Sequence, residues 1–372
     1  MFTLFTALLC AFRLVTFIRQ PALQPYNEVL APFLLTGGLA SMVLYLAYPI
    51  EVINPGWLNL KRGLALPGSW DAAYMKGTTE DAIKAATVTF TATAGGKIYT
   101  ATKPGYKFLS GKYYAATLTM APTGALAGKF TINGSGDQVY FSQGNLQATY
   151  NGSSWSWAFA TNQWDYIGNA AGNTSVNGDG IVSASNVTVD LFGWVGASSD
   201  WTGAAQYGIS NSKTNNSKAT YGNVANEALK SDWGNTIGSG WRTLTSDEWT
   251  YLFNTRTVNG GTGNGKSYTL GQSVNGKVGI VIYPDNYTGS VYSGKDWASF
   301  EAAGCVFLPA AGSRNGAELV NAGSYGYYWS SSPNASDVKY AYRVNFYSNI
   351  LSPAENGNRY RGYSVRLVRP VE

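Results

Sequence analysis

The alternation of apolar and polar residues changes character twice along the 372-residue chain. Met1 to Ile18 is apolar apart from Arg13, and Val29 to Ile53 is a second apolar stretch, broken mainly by Pro32, Pro49 and Glu51. The centre of the second stretch, Phe33 to Tyr48, carries no charge. With its flanks it approaches the roughly 20 residues that span a bilayer. Arg13 and Arg19 lie between the two stretches and Lys61-Arg62 follows. Residues 1–75 are therefore expected to form a hydrophobic helical segment, with membrane association through residues 1–53. A buried apolar hairpin, a processed leader and a misplaced start stay open as rivals. No basic residue precedes the apolar run, and Leu9 is bulkier than the residue that usually precedes a lipoprotein cysteine such as Cys10.

From about Thr87 the period shortens to two. Val88-Thr-Phe-Thr-Ala-Thr93, Lys97-Ile-Tyr-Thr-Ala-Thr102 and Lys112-Tyr-Tyr-Ala-Ala-Thr-Leu-Thr-Met120 read as strands, and Ala121 to Gly128 reads as a linker. Residues 76–130 are expected to be a small β segment and residues 131–372 one long domain. In that domain Gln138–Ser142, Asn186–Phe192, Lys277–Tyr283 and Gly304–Leu308 are strand-like. A helix is predicted over Thr245–Phe253, because Thr245 and Glu248 have capping-box spacing and Trp249, Leu252 and Phe253 then share a side. A second short helix is expected over Asn223–Trp233.

Composition narrows the chemistry. The chain has no histidine and two distant cysteines, Cys10 and Cys305, against 44 glycines, 26 tyrosines and 12 tryptophans. Histidine-based nucleophilic catalysis, His-ligated zinc and a disulfide framework are thereby excluded. The net charge of +5 suggests nucleic acid only until it is mapped. Residues 1–130 hold eleven Lys/Arg against five Asp/Glu, whereas residues 131–372 hold fifteen against sixteen, with no dense basic run. No nucleic-acid partner is expected. Gly261-Thr-Gly-Asn-Gly-Lys266 lacks phosphate-loop spacing. Asp165, Asp190 and Asp232 lie near tryptophans, as sugar sites require, but tryptophan is equally a core filler. No catalytic residue, metal or cofactor is assigned.

Two resemblances add to this reading. Lys97-Ile-Tyr-Thr-Ala-Thr102 followed by Gly111-Lys-Tyr-Tyr-Ala-Ala-Thr-Leu-Thr-Met120 resembles the closing strands of fimbrillin-like sandwiches of Bacteroidetes-type bacteria. The stronger one rests on Val139-Tyr-Phe-Ser-Gln-Gly-Asn-Leu146, Asp190-Leu-Phe-Gly-Trp194, Trp241-Arg-Thr-Leu-Thr-Ser-Asp-Glu-Trp249, Gly304 to Gly316, Gly326-Tyr-Tyr-Trp-Ser-Ser-Ser332 and Arg359 to Arg369. Together they resemble the C-type-lectin-like fold of the formylglycine-generating-enzyme and sulfatase-modifying superfamily, and within it the variable proteins of diversity-generating retroelements. The resemblance implies an α+β, C-type-lectin-like fold with few helices and irregular long loops. Superfamily enzymes act through C-terminal cysteines, and the apolar context of Cys305 argues against that chemistry. Tyr283-Pro-Asp-Asn286 is only a faint echo of the lectin calcium signature.

The retroelement resemblance implies fixed framework residues (Trp329, Val344, Phe346, Gly362 and Ser364-Val-Arg366 among them) alternating with variable surface positions. The candidate ligand-binding residues are Tyr325, Tyr327, Asn334, Ser336, Asp337, Tyr340, Tyr342, Arg343, Tyr347, Asn349, Ile350, Glu355, Asn358, Tyr360, Arg361 and Tyr363. Strand alternation alone places Tyr340, Tyr342, Val344 and Phe346 on one side and Arg343, Asn345 and Tyr347 on the other. Tyr340 and Tyr342 are thus core candidates, and Arg343 and Tyr347 the firmest face candidates. The expectation is a surface-displayed adhesion protein whose partner is a protein or glycan on another cell, phage or host. A carbohydrate-active or degenerate sulfatase-modifying enzyme and a fimbrial subunit are the alternatives.

Overall fold

The computed structural model describes residues 86–94, 97–106, 121–168, 171–174, 187–209, 221–238 and 240–371. The hydrophobic segment expected over residues 1–75 and the strand expected over 112–120 lie outside the described residues. Among those described, no helix is long and apolar enough to cross a membrane. The chain divides into two compact units, Met1–Thr123 and Gly124–Glu372. In the first, β1 (Ala86–Ala94), β2 (Lys97–Tyr106) and β3 (Ala121–Pro122) form an antiparallel sheet in that order.

The second unit is mainly β. One sheet orders β4 (Phe130–Thr131), β5 (Gln138–Phe141), the C-terminal β18 (Leu367–Pro370) and β9 (Arg242–Thr243) as β4-β5-β18-β9. A second runs β7 (Trp155–Phe159), β6 (Leu146–Tyr150), β8 (Val187–Val189). A third runs β10 (Tyr268–Val274), β11 (Lys277–Ile282), β12 (Val306–Pro309), and β13 (Ser313–Asn315) pairs with β14 (Glu318–Val320). The last joins β15 (Tyr325–Pro333), β16 (Tyr340–Tyr347) and β17 (Ile350–Asn358). The helices are α1 (Ala171–Thr174), α2 (Ser246–Asn254) and α3 (Trp297–Ala302).

These elements correct the α+β, C-type-lectin-like class expected from the resemblance. Eighteen strands in several small antiparallel sheets stand against three helices among the described residues, the longest of nine residues. Only α2 has the sequence machinery of a stable helix. Thr245 Oγ1 accepts from the Glu248 amide at 3.2 Å and Glu248 Oε2 accepts from the Thr245 amide at 2.8 Å, so two orphan donors are satisfied. The helix expected over Asn223–Trp233 does not form. Asn226 takes a left-handed φ of 57° and donates its amide to Asn334, leaving only a 3-10 turn at Trp233–Thr236 capped by Asp232.

Burial on both sides of the β15–β17 sheet defines the core. On one side Tyr328, Val344 and Phe346 pack with Trp249, Leu252 and Phe253 of α2 and with Phe130 and Phe141. On the other, Tyr327, Trp329 and Tyr363 pack with Phe192 and Trp194. The segment from Arg359 to Val368 runs alongside β15, with Ser364 accepting from the Trp329 amide and donating to the Tyr327 carbonyl. It pairs with Phe192 through Tyr363, with Arg314 through Gly362 and with Tyr328 through Ser364 before entering β18. The packing is tight at Gly362, where a Cβ would lie 2.9 Å from both Arg314 Cβ and the Leu191 carbonyl oxygen.

Candidate recognition face

The face begins with strand register. Tyr325 stands opposite Tyr347, Tyr327 opposite Asn345, and Trp329 opposite Arg343 across β15 and β16. Across β16 and β17, Tyr347 stands opposite Ile350, Asn345 opposite Ser352 and Arg343 opposite Glu355. The last two pairs reveal a bulge, because three residues of β17 span what two span on β16. Without the extra residue Glu355 would point to the opposite side from Ser352; the bulge turns it back onto the side of Arg343 and Asn345. Pro353 lies inside the irregularity, where a missing ladder donor costs little.

An aromatic ladder crosses this side from interior to surface. Ring centroids are 4.5 Å apart for Trp329–Tyr363, 5.1 Å for Tyr363–Tyr327, 5.8 Å for Tyr327–Tyr325 and 4.4 Å for Tyr325–Tyr347. Trp329, Tyr363 and Tyr327 are buried, Tyr325 and Tyr347 half-buried, and Ile350 at the hairpin tip is 44% exposed. The ladder thus anchors its outer rings on a packed inner end. Arg343 lies over Tyr327 at 4.5 Å and Tyr363 at 5.0 Å, a geometry worth about 0.5–2 kcal/mol. Its Nη2 donates to Glu355 Oε1 at 3.3 Å, and Asn345 Nδ2 donates to Glu355 Oε2 at 2.6 Å. Arg343 Nε and Nη1 and Asn345 Oδ1 are buried without a hydrogen-bond partner. Burial raises the Tyr363 phenol above its ordinary pKa, opposed by Arg343 and Arg361.

The structure sorts the sixteen candidates. Tyr325, Tyr327, Arg343, Tyr347, Ile350, Glu355 and Tyr363 share this side, with Asn349 exposed at the tip. Tyr360 and Arg361 flank Tyr363 on the following turn, both half-buried. Asn334, Ser336 and Asp337 make the β15–β16 turn instead. Asn334 Oδ1 accepts from the amides of Ser336 and Asp337 at 2.8 and 2.7 Å, so its side chain holds backbone. Tyr340 and Tyr342 pair with Asn358 and Asn356 at the other end of the hairpin. Both are half-buried, since the core under Val344 and Phe346 stops short of them. Arg343 is on the expected side yet nearly enclosed, because the sheet is covered there.

Asn345 and Gly357 belong to the site and were not among the candidates. Asn345 had a legible signal, its alternate position between Arg343 and Tyr347. Gly357 had none: a Cβ there would lie 2.7 Å from both Arg343 Cδ and Tyr363 Cε2. Gly357→Ala is expected to displace the arginine from its rings and to lower stability by about 1–3 kcal/mol, measurable by urea unfolding of the full chain.

The carboxylates of the enzymatic alternative hold loops. Asp165 accepts from the amide and side chain of Asn162, and Asp232 from Gly234 and Thr243. Asp285, of the calcium-like motif, is bound by Thr131, Gln138 and Arg256. Cys305 is a buried free thiol whose pKa is pushed up by burial. A cleft of about 370 Å³ elsewhere is lined by Ile132, Asp137, Arg242 and Glu248, the last two locked in a two-point ion pair at 2.7 and 2.6 Å.

Asp190 is enclosed, and burial raises its pKa to about 6 against the lowering effect of bonds from Asn173 and the Ile167 amide. Its folded pKa exceeds the unfolded value, so the stability it contributes is full below about pH 4 and is lost as pH rises through 6. Relative to Asp190→Asn, the wild-type chain is expected to lose on the order of 2–3 kcal/mol between pH 4 and pH 7.5. Paired melting curves across that range test the slope.

Residues 293–368 match a domain of unknown function (DUF8237), a span that contains every residue of this face from Tyr325 to Tyr363. No curated protein and no solved structure matches the chain.

Proposed function

We propose that this chain is a ligand-binding protein, displayed at a cell surface, whose recognition face is the outer end of the β15–β17 sheet. The observation that carries the reading is the aromatic ladder, which is rooted in a fully buried Trp329 and ends in half-exposed Tyr325 and Tyr347 beside exposed Ile350. Rigid, amphipathic rings with few rotamers, flanked by short hydrogen-bonding side chains, are what adaptable paratopes use. Placing them on strands fixes their geometry before binding and lowers the ordering cost. Tyr, Asn, Ser and Arg at strand and hairpin positions above an enclosed framework also fit a protein diversified by a retroelement, with a protein or glycan of another cell, phage or host as partner. A second copy of the coding stretch for residues 304–369, differing at adenines beside a reverse transcriptase, is the expected genomic companion.

The purified full chain, applied to arrays of surface proteins and glycans, is expected to retain a small set of ligands and to lose them on Tyr347→Ala. Retention unaffected by substitutions at Tyr325, Tyr347 and Ile350 would overturn the reading.

A further inference from the structure

We propose that Arg343 and Asn345 form a carboxylate-binding subsite that Glu355 of the same chain occupies in the free protein and that an acidic side chain of a protein partner takes over on binding. The proposal rests on the recognition-face reading and adds the chemistry of one contact.

The four described ion pairs are unequal. Arg242–Glu248, Arg359–Glu227 and Arg256–Asp285 close to 2.6, 2.6 and 2.9 Å, with carboxylate side chains 16%, 6% and 22% exposed. Arg343–Glu355 is the longest at 3.3 Å, uses one guanidinium nitrogen, and has the most exposed carboxylate, 42%. Its arginine is the opposite, 11% exposed and laid over the adjoining Tyr327 and Tyr363 rings. The cation is thus fixed while its anion is the removable member. A guanidinium carries five donors matched to a carboxylate's fork, and here Nε and Nη1 make no hydrogen bond. Asn345 Nδ2, 2.6 Å from Glu355 Oε2, supplies a second anchor for the departing or arriving carboxylate.

The occupant already seated is a glutamate side chain, which favours an acidic residue over other anions. The neighbouring rim points the same way: Tyr325, Tyr347 and Ile350 are the residue types of a protein–protein interface. When the partner's carboxylate enters, Glu355 swings on its bulged strand into solvent, so net charge within the subsite is conserved. Glu355 therefore disfavours partners that lack an acid at this point, because such a partner would bury the existing pair without replacing it.

The test titrates the full chain with an end-blocked peptide bearing one glutamate, the same peptide with glutamine, and methyl glucuronide. The readout is affinity by isothermal calorimetry, with the Arg343 Nε–H resonance, assigned from its loss in Arg343→Lys, locating the peptide in the chains that keep the arginine. Glu355→Ala is expected to bind the glutamate peptide at least tenfold more tightly than wild type, with no gain for the glutamine peptide. The shape-preserving Glu355→Gln is expected to gain at least threefold, and Arg343→Lys combined with Glu355→Ala to lose the gain. Equal affinities of wild type and both Glu355 variants would overturn the subsite. Tighter binding of the glucuronide than of the peptide would overturn the protein source. Since no natural ligand is used, a flat titration beside an intact dependence on Tyr347 overturns the subsite alone, and the reverse pattern overturns the face.

Discussion

Replacing Glu227 with alanine is expected to cost the C-terminal unit about 3–5 kcal/mol, a large part of the 5–15 kcal/mol that typically separates folded from unfolded chains. The pair it breaks is enclosed. Arg359 Nη1 donates to Glu227 Oε1 at 2.6 Å, and the side chains are 0% and 6% exposed. Glu227 Oε2 also accepts from the Ser198 amide at 2.7 Å, and the guanidinium lies over Trp194 at 4.7 Å. Burial pulls the Arg359 pKa below its ordinary value, and Glu227, with a lesser effect from Asp337, supports its charge. Without the carboxylate, a cation remains among Trp194 and the Tyr340 and Val224 carbonyls, which solvate it poorly. Gly196 and Gly222 leave no slack, since a Cβ on either would collide with Glu227. Glu227→Gln keeps the shape and is expected to cost less. Urea unfolding of the full chain checks both, and a loss under 1 kcal/mol for Glu227→Ala would mean the pair is solvated.

The double substitution Tyr325→Ala, Tyr347→Ala is expected to weaken ligand binding at least about 100-fold. The two rings stack at 4.4 Å and form the exposed end of the ladder, so removing both deletes the contact surface together with its rigidity. Each is half-buried, and the inner rungs Tyr327, Tyr363 and Trp329 stay packed. The stability cost should therefore be on the order of 1 kcal/mol per ring, a fall in Tm of about 2–4 °C each. Trp329→Ala is the informative contrast. It is fully buried and donates Nε1–H to the Phe192 carbonyl at 2.6 Å, so its loss damages folding first. Binding by isothermal calorimetry and melting by circular dichroism separate the two behaviours.

Local signals in the sequence carried far. The runs expected as strands over Val88–Thr93, Lys97–Thr102, Gln138–Ser142 and Lys277–Tyr283 fall on β1, β2, β5 and β11, and the Thr245–Glu248 capping box marks α2. The side of Arg343, Asn345 and Tyr347 on β16 followed from alternation alone. What failed depended on tertiary context. The α+β class gave way because the short apolar stretches outside α2 found strand partners distant in sequence, as Val368 did with Phe141. Asn223–Trp233 has helical spacing but is unwound by Asn226, whose amide is taken by Asn334 over a hundred residues away. Bulges were equally illegible, and the one in β17 decides where Glu355 points. The variable-looking pattern did not distinguish outer rings from inner ones. Arg343, Tyr327 and Tyr363 resemble Tyr347 in sequence, and only the layer containing Phe192 and Trp194 encloses them.

The most direct measurement of the central claim is amide hydrogen exchange of the full chain with and without a ligand captured on the arrays. Protection is predicted in Ser324–Tyr327 and Tyr347–Leu351, where the outer rings and hairpin tip meet solvent, with little change around Ile132–Val139 and Arg242. Protection confined to that second region, the cleft beside the Arg242–Glu248 pair, would contradict the account.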